Sequence, residues 1–451
     1  MLLFLGKKNQ NINKLTNLLL LKLEISQLER CTNLDIENSH SDYMYNIVDT
    51  ICKKFGPRYS CSQAERDANL WIKDELSKFS DETFIDEFET RPAMYPQGFI
   101  KIAGIFGGIS PIFMIFQFPL PILSALFVFI GIWVLYSEMM LMKGWIWPFF
   151  KKKTSSNVFG IIKPTGEVKF RIIFEGHTDS AKEMNIASYP PKLRKWIAII
   201  GLYFLVHTII FSLWKFISQI IGEPSIILYD SVIISWTIID LVYFLSLIVI
   251  YPFFIWLLKG FLGKTVVLGA NDNLAATAVA LAISKYLNQN KLKNVEVWIG
   301  SQGSEEVGDK GAGAFVEKYG EQGILDNSYT VVLECCGAAE AMAIIEKDMH
   351  RAIYDKEINS LLDEAYNAAK AENPDILKLK NVSLKIGACD ACQYIHEGYK
   401  ASAIFGVEEY KNKAVNWHSV KDAPENIDKK VLKDFLEVSL KFIELVDKKY
   451  N

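Results

Sequence analysis

Two histidines and five acidic residues stand in short motifs whose chemistry belongs together. They are Gly176-His177-Thr-Asp179, Gly269-Ala-Asn-Asp272-Asn273, Gly300-Ser-Gln-Gly-Ser-Glu305-Glu306, Leu333-Glu334 and Trp417-His418-Ser-Val. Zinc takes imidazole nitrogen and carboxylate oxygen at about 2.0–2.2 Å, and a catalytic site leaves a position open. A pair of metals about 3.5–4 Å apart needs a carboxylate able to bridge them. Asp272, in a loop ahead of a helix, suits that task. A further carboxylate must stay off the metal to take a proton, and the adjacent Glu305 and Glu306 can divide the two roles. Asp179, two residues beyond His177, is placed to fix the imidazole's tautomer. Each motif alone is weak, since Glu-Glu pairs such as Glu408-Glu409 are usually solvated surface. The ordered set is far more specific.

The elements that must position these groups can be read from periodicity. Ser62-Gln-Ala-Glu65 fits a capping box ahead of a helix carrying Ala68, Trp71, Ile72, Leu76 and Phe79 at helical spacing. Thr83–Thr90 alternates apolar and acidic residues as a half-buried strand does. Val158–Ile162 and Val168–Phe174 read as strands around a Pro164-Thr-Gly166 turn. Beyond Lys264, helices are expected over 275–287, 312–319, 357–371 and 427–446, alternating with strands at 295–299, 329–333 and 401–405. Such alternation predicts an α/β fold, a mixed and largely parallel sheet sandwiched by helices. Ligands gather at the carboxyl ends of strands in such sheets, where His177, Glu305, Glu306 and Glu334 all fall.

Two apolar blocks interrupt this pattern. No charged residue occurs from Ile102 through Ser137, and Pro119 and Pro121 sit midway. A helix needs about 20 apolar residues to cross the hydrocarbon core, so the block reads as a transmembrane hairpin. A second block, from Trp196 to about Leu258, divides at Gly222-Glu223-Pro224 and holds Asp240, for which interhelical pairing is expected. The resulting plan is a poorly defined segment at 1–40, α/β-domain segments at 41–98, 149–194 and 263–451, and hairpins at 99–148 and 195–262. Met1–Leu23 is expected to be a loosely held amphipathic start. Four crossings put every non-membrane segment on one side, which also carries Arg91, Lys101, Lys143, Lys151–Lys153, Lys192, Arg194, Lys195, Lys259 and Lys264. Basic residues near spans stay cytoplasmic. Seven cysteines without a disulfide framework point to the same reducing side. A net charge of −3 offers no basic field for nucleic acid.

Taken together the motifs resemble metallopeptidase family 28, the co-catalytic zinc peptidases that include bacterial leucyl aminopeptidases and glutamate carboxypeptidase II. The resemblance runs through Phe55-Gly-Pro-Arg58-Tyr to Glu65-Arg and then through the motifs above. It continues in Gly387-Ala-Cys-Asp390 and His418-Ser-Val-Lys-Asp422, covering nearly the whole chain outside the apolar blocks. It implies two zinc ions per chain, His177 and Glu334 on one and Glu306 and His418 on the other, with Asp272 bridging. Glu305 would be the general base and Asp179 the histidine's partner. Glu334 stands where the family more often has aspartate, and Cys389 where a serine is usual. The second insertion enters close to the site, so membrane helices are expected to border the substrate entrance. The expected activity is zinc-dependent hydrolysis of peptides or dipeptides at a membrane, with lipid as the surrounding partner. Glutaminyl-cyclase-like acyl transfer with one zinc and an inactive receptor of the same fold are the alternatives. The complete ligand set argues against both. Cys335-Cys336 and Cys389-Asp-Ala-Cys392 leave a second metal or redox element open, against plain packing of small thiols.

Overall fold

The computed structural model describes residues 39–184, 189–222, 226–261 and 263–451. The expected amphipathic start lies outside the described residues. The chain builds α1 (39–55), α2 (Gln63–Leu76), β1 (Glu82–Thr90), α3 (Gln97–Ile109), α4 (Ile122–Met139), β2 (Lys153–Ile162) and β3 (Phe170–His177). Then come α5 (Pro191–Ile221), β4 (Ile227–Asp230), β5 (Ser235–Thr237), α6 (Ile238–Phe261), α7 (Ala275–Gln289) and β6 (Val295–Gln302). The remainder is α8 (Lys310–Glu321), β7 (Ser328–Glu334), β8 (Ala341–Lys347), α9 (Lys356–Glu372), β9 (Leu379–Ser383), α10 (Ala391–His396), β10 (Ala401–Val407) and α11 (Lys429–Tyr450).

Eight strands form one sheet in the order β1-β2-β6-β3-β7-β10-β8-β9. Its centre, β6-β3-β7-β10, is parallel, while β1, β2 and β8 join by antiparallel pairings. The central strands are buried apart from Arg171, as the covered faces of a parallel sheet require. One apolar core unites α1, α2, α7, α9 and α11 on one face, and a second holds α8 and α10 on the other. This is the mixed, mostly parallel α/β sandwich that the sequence pattern predicts.

Several elements depart from the sequence reading. The strand expected at 158–162 starts at Lys153, and β8 and β9 extend the sheet where the sequence reading places no element. A helix over 39–55 precedes the expected opening and sends Met44, Ile47, Val48 and Ile51 into the core. The second apolar block is not a bare helical hairpin. A two-stranded β4–β5 ribbon separates its arms.

Three helices are long and apolar enough to cross a membrane: Gln97–Ile115, Ile122–Met139 and Lys192–Ile221. The fourth arm passes only as a pair, Ile238–Ile248 and Ile250–Trp256, bent by 46°. Pro252 lies inside that arm, and proline removes the hydrogen bond to the carbonyl four residues earlier, which is that of Ile248. Met114, Phe204, Tyr243, Leu247 and Phe254 pack the first, third and fourth arms together, and Ala103 with Val134 joins the first to the second. Outward they present apolar side chains, including Ile105, Phe129, Leu202, Ile210 and Leu245.

Asp240 meets Lys215 at 2.9 Å, both fully buried between the arms. Lys215 also donates to the carbonyls of Met114 and Ser235, while Asp240 accepts from the Thr237 amide and hydroxyl at 2.8 Å each. Removing one member of a satisfied buried pair strands the other charge, at a cost of about 3–5 kcal/mol. Lys215→Met is therefore expected to lower the thermal midpoint in detergent strongly, and adding Asp240→Leu to recover most of the loss. A neutral single substitution would contradict this account of the pair.

Candidate metal centre

Five loops or strand ends converge at the carboxyl edge of the central sheet. His177 is the last residue of β3 and Glu334 the last of the neighbouring β7, two residues beyond the pairing of Glu175 with Val332. Gly176 lets β3 approach the start of α7, since a Cβ there would lie 2.9 Å from the Ala276 side chain and the Thr277 nitrogen. Gly269 has φ +60° and would bring a Cβ within 2.7 Å of the Asp272 carbonyl. Only glycine suits that turn, which delivers Asp272 into the site ahead of α7.

Asp272 lies between the two imidazoles. One carboxylate oxygen is 3.3 Å from His177 Nε2 and the other 3.5 Å from His418 Nε2. Glu306 approaches His418 Nε2 at 3.1 Å, and Glu305 approaches His177 Nε2 at 3.6 Å. Ligand-type atoms gather within 4.8 Å of one another in three overlapping groups. These are His177–Asp272–Glu334, His177–Glu305–Glu306 and Asp272–Glu306–His418. The seven residues expected from the sequence thus come together, the seventh being Asp179 beside His177.

The role expected for Asp179 is only part of what it does. His177 Nδ1 faces the Asp179 backbone carbonyl at 3.1 Å and its carboxylate at 3.5 Å. The carboxylate accepts the Glu305 and Glu306 amides at 3.0 and 3.2 Å. It therefore fixes the turn that carries both glutamates.

Other residues holding the site have no assigned role in the sequence reading. Asp422 accepts the amides of Asn271 and Asp272 at 2.6 and 3.1 Å. Asn273 bonds Leu333 O and Cys335 N at 2.9 and 3.1 Å, and Asn271 takes the Gly337 and Ala338 amides at 2.8 Å each. The asparagines flanking Asp272 thereby lock its turn to the end of β7, which bears Glu334. Arg58, fully buried, donates to Gly56 O, Thr178 O and Gly269 O, tying the His177 and Asp272 loops together. The capping box is half realised. Ser62 Oγ accepts from Glu65 N at 3.2 Å, but the Glu65 carboxylate takes the amides of Cys61 and Ser304, at 2.6 and 3.0 Å.

The electrostatics call for cations. Burial pushes Glu305 and Glu334 well above the usual carboxylate range, and burial raises Glu306 as well. Asp422 is pushed up to about 7 by burial and by the neighbouring Asp272. Burial would depress His177, yet Glu305, Asp179 and Asp272 raise it well above its ordinary value. Asp272 is the exception. Burial opposes its charge, but His177 and His418 hold it below its usual value. Buried oxygens of Asp272, Glu306 and Glu334 accept no hydrogen bond, an arrangement costing about 1–3 kcal/mol per group unless something positive faces it. Imidazole nitrogens with unpartnered carboxylate oxygens are the donor set of zinc, so the residues fit that metal. Among the described residues no group of this kind includes a cysteine. Cys335, Cys336, Cys389 and Cys392 are buried, the last two beside Tyr354 and Asp309.

Residues 248–443 match peptidase family M28, a stretch that includes Asp272, Glu305, Glu306, Glu334 and His418. Among curated proteins none matches the chain in sequence. Among solved structures, the zinc aminopeptidase BSAP from Bacillus subtilis is 13% identical, with 90% of this chain and 95% of that one covered at a TM-score of 0.51. A glutaminyl cyclase from an Acidobacteriales bacterium is also 13% identical, with coverages of 91% and 95% and a TM-score of 0.51. An aminopeptidase from Aneurinibacillus sp. strain AM-1 is 11% identical, with coverages of 89% and 93% and a TM-score of 0.50. At such identities the likeness speaks for the fold.

Groups that orient metal ligands typically matter by about 10–100-fold in metal affinity. Asp422→Asn cannot accept both amides of the Asp272 turn, so zinc affinity is expected to fall by about that factor while the fold persists. Competition against a chromophoric chelator measures it, and unchanged affinity would contradict the role given to Asp422.

Proposed function

From the match of residues 248–443 to peptidase family M28, we propose that the chain is a zinc hydrolase of that family, a membrane-embedded exopeptidase of aminopeptidase or dipeptidase type with two zinc ions. His177 and Glu334 would hold one ion and Glu306 and His418 the other, with Asp272 between them. The observation that carries this reading is the seat of Asp272, with one oxygen toward each imidazole. When bound, zinc supplies Lewis acidity that polarises a carbonyl and lowers the pKa of water. Glu305 takes the attacking water's proton on its carboxylate and passes it to the leaving amine. Asp179 holds the Glu305–Glu306 turn by its two amide bonds, so the base and its neighbouring ligand keep their separate directions. A one-metal cyclase would leave His177 and Glu334 without a task, and an inactive scaffold would have no need of the complete set.

The membrane reading rests on the outward faces of the helical arms. Leu202 and Trp196 on α5 are each 62% exposed, and such faces in water would form an apolar patch far larger than soluble proteins present. Four spans, the bent arm included, place the catalytic domain on one side, and the basic residues around the spans make that side cytoplasmic.

Glu305→Gln removes only the proton shuttle. It is expected to keep its zinc and lose at least about 10²-fold in kcat on amino-acid anilides or dipeptides. Loss of zinc with turnover preserved would reverse the roles of the two glutamates.

Orientation is tested by thiol labelling of intact cells with an impermeant reagent. Gly222→Cys should react at once, whereas Glu321→Cys on α8 should react only after the membrane is opened. The reverse pattern would make the protein an ectoenzyme.

A further inference from the structure

The helical arms are not attached to the catalytic domain at a distance. Gln97, the first residue of α3, donates from its side chain to Gly263 O at 2.5 Å and accepts from Lys182 Nζ at 2.9 Å. Lys182 is three residues past Asp179, and its ammonium lies 4.4 Å over the Tyr59 ring. The segment leading to α5 pairs with the segment leaving α6. Lys182 bridges Val266, Glu183 N donates to Thr265 O at 2.8 Å, and Val267 N donates to Ala181 O at 3.0 Å. Met184 N then donates to the carbonyl of His418 itself at 3.0 Å. From the other hairpin, Trp147 lies under Lys310 Nζ at 4.3 Å, in the turn that follows Glu306. Among the described residues, Gln97 and Trp147 of the first hairpin and segments 181–184 and 263–267 beside the second thus meet the loops that carry His177, Asp272, Glu306 and His418.

The depth of the bilayer can be read from the aromatic residues. Trp196 and Trp214, both exposed on α5, stand about 27 Å apart along a helix rising 1.5 Å per residue, close to the thickness of a hydrocarbon core. Tryptophan and tyrosine favour the membrane–water boundary. On the catalytic side the boundary at Trp196 is continued by Trp256, stacked on Tyr189 at 5.7 Å, and by the exposed Trp145 and Phe149. Lys192, Arg194 and Lys195 lie in the first turns of α5 and Lys259 in the last turn of α6. The loops of the site are therefore held beside these helix ends rather than a domain's width away from them. An anchor alone could sit at either terminus. Here both hairpins are instead built into the loops that shape the site, which fixes its height above the lipid.

We infer that the substrates are peptides held in the same bilayer by their own apolar segment, presenting a free end within a few residues of the surface. This rests on the peptidase reading above and adds the substrate class. A soluble peptide has no such constraint, whereas a membrane-anchored one is met at the depth where its short tail emerges.

The test uses full-length protein reconstituted in vesicles with synthetic peptides. Each peptide carries a Trp-flanked Leu-Ala transmembrane helix and a free tail of about 4, 8 or 20 residues, ending in an amino group in one series and a carboxyl group in the other. An extended tail reaches about 3.3 Å per residue, so the shortest rises only about 13 Å. Tail length is expected to change the trimming rate by less than about threefold for the reactive series. A site held off the membrane would trim the 20-residue tails at least about 100-fold faster than the 4-residue tails, and that result overturns the inference. Soluble anilides and dipeptides assayed in the same vesicles separate the two claims. Turnover of soluble substrates with short tails left intact sinks only the inference, and no turnover of either sinks the peptidase reading with it.

Discussion

The repulsion among buried carboxylates around Asp272 is the constraint on which the rest of the site depends. Asp179, Asp272, Glu305, Glu306 and Glu334 crowd around two imidazoles. Left to themselves such groups would take up protons or move apart. They are held in place because their backbones, more than their side chains, are tied down. Asp179 clamps the Glu305–Glu306 turn, Asp422 the Asp272 turn, and Asn271 and Asn273 the end of β7. The strain of collecting like charges is thus carried by amide hydrogen bonds that need no metal, and the unpartnered oxygens face inward for a divalent cation to satisfy.

The same backbone clamps explain how a hydrolase fold accommodates two apolar insertions. Both hairpins leave and re-enter beside the site, yet the sheet order and the parallel centre are unaffected. The junctions close on themselves through the pairing of 181–183 with 265–267. The bundle in turn is closed by the Lys215–Asp240 pair, whose hydrogen-bonding needs are met from both arms and the β4–β5 ribbon. The helical arms are organised internally and meet the sheet domain through polar contacts such as Gln97–Gly263 and through Met142, packed against its second core.

Much of this was legible in the sequence because the metal-type residues sit where strands end. His177 and Glu334 close β3 and β7, and Asp272 precedes an alanine-rich helix, so residue type and local periodicity sufficed. The clamps were hidden for a physical reason. Asp422 reaches Asp272 across 150 positions and Glu65 reaches Ser304 across 239, and their partners are backbone amides that no residue type marks. Strand β9 carries lysine and asparagine at the sheet's edge and has no apolar alternation to betray it. The β4–β5 ribbon disappeared into the apolar block because its residues, such as Ile227 and Val232, are as hydrophobic as the helices it joins. The Asp272–Asn273 peptide is cis, which nothing in the residue pattern signals.

The central claim is a site with two metal ions sharing Asp272. Its most direct measurement is a titration of zinc-stripped protein with zinc, following bound metal and peptide hydrolysis together. The account predicts that uptake saturates at two ions per chain and that full activity is reached only with the second. Saturation at one ion with full activity would contradict it.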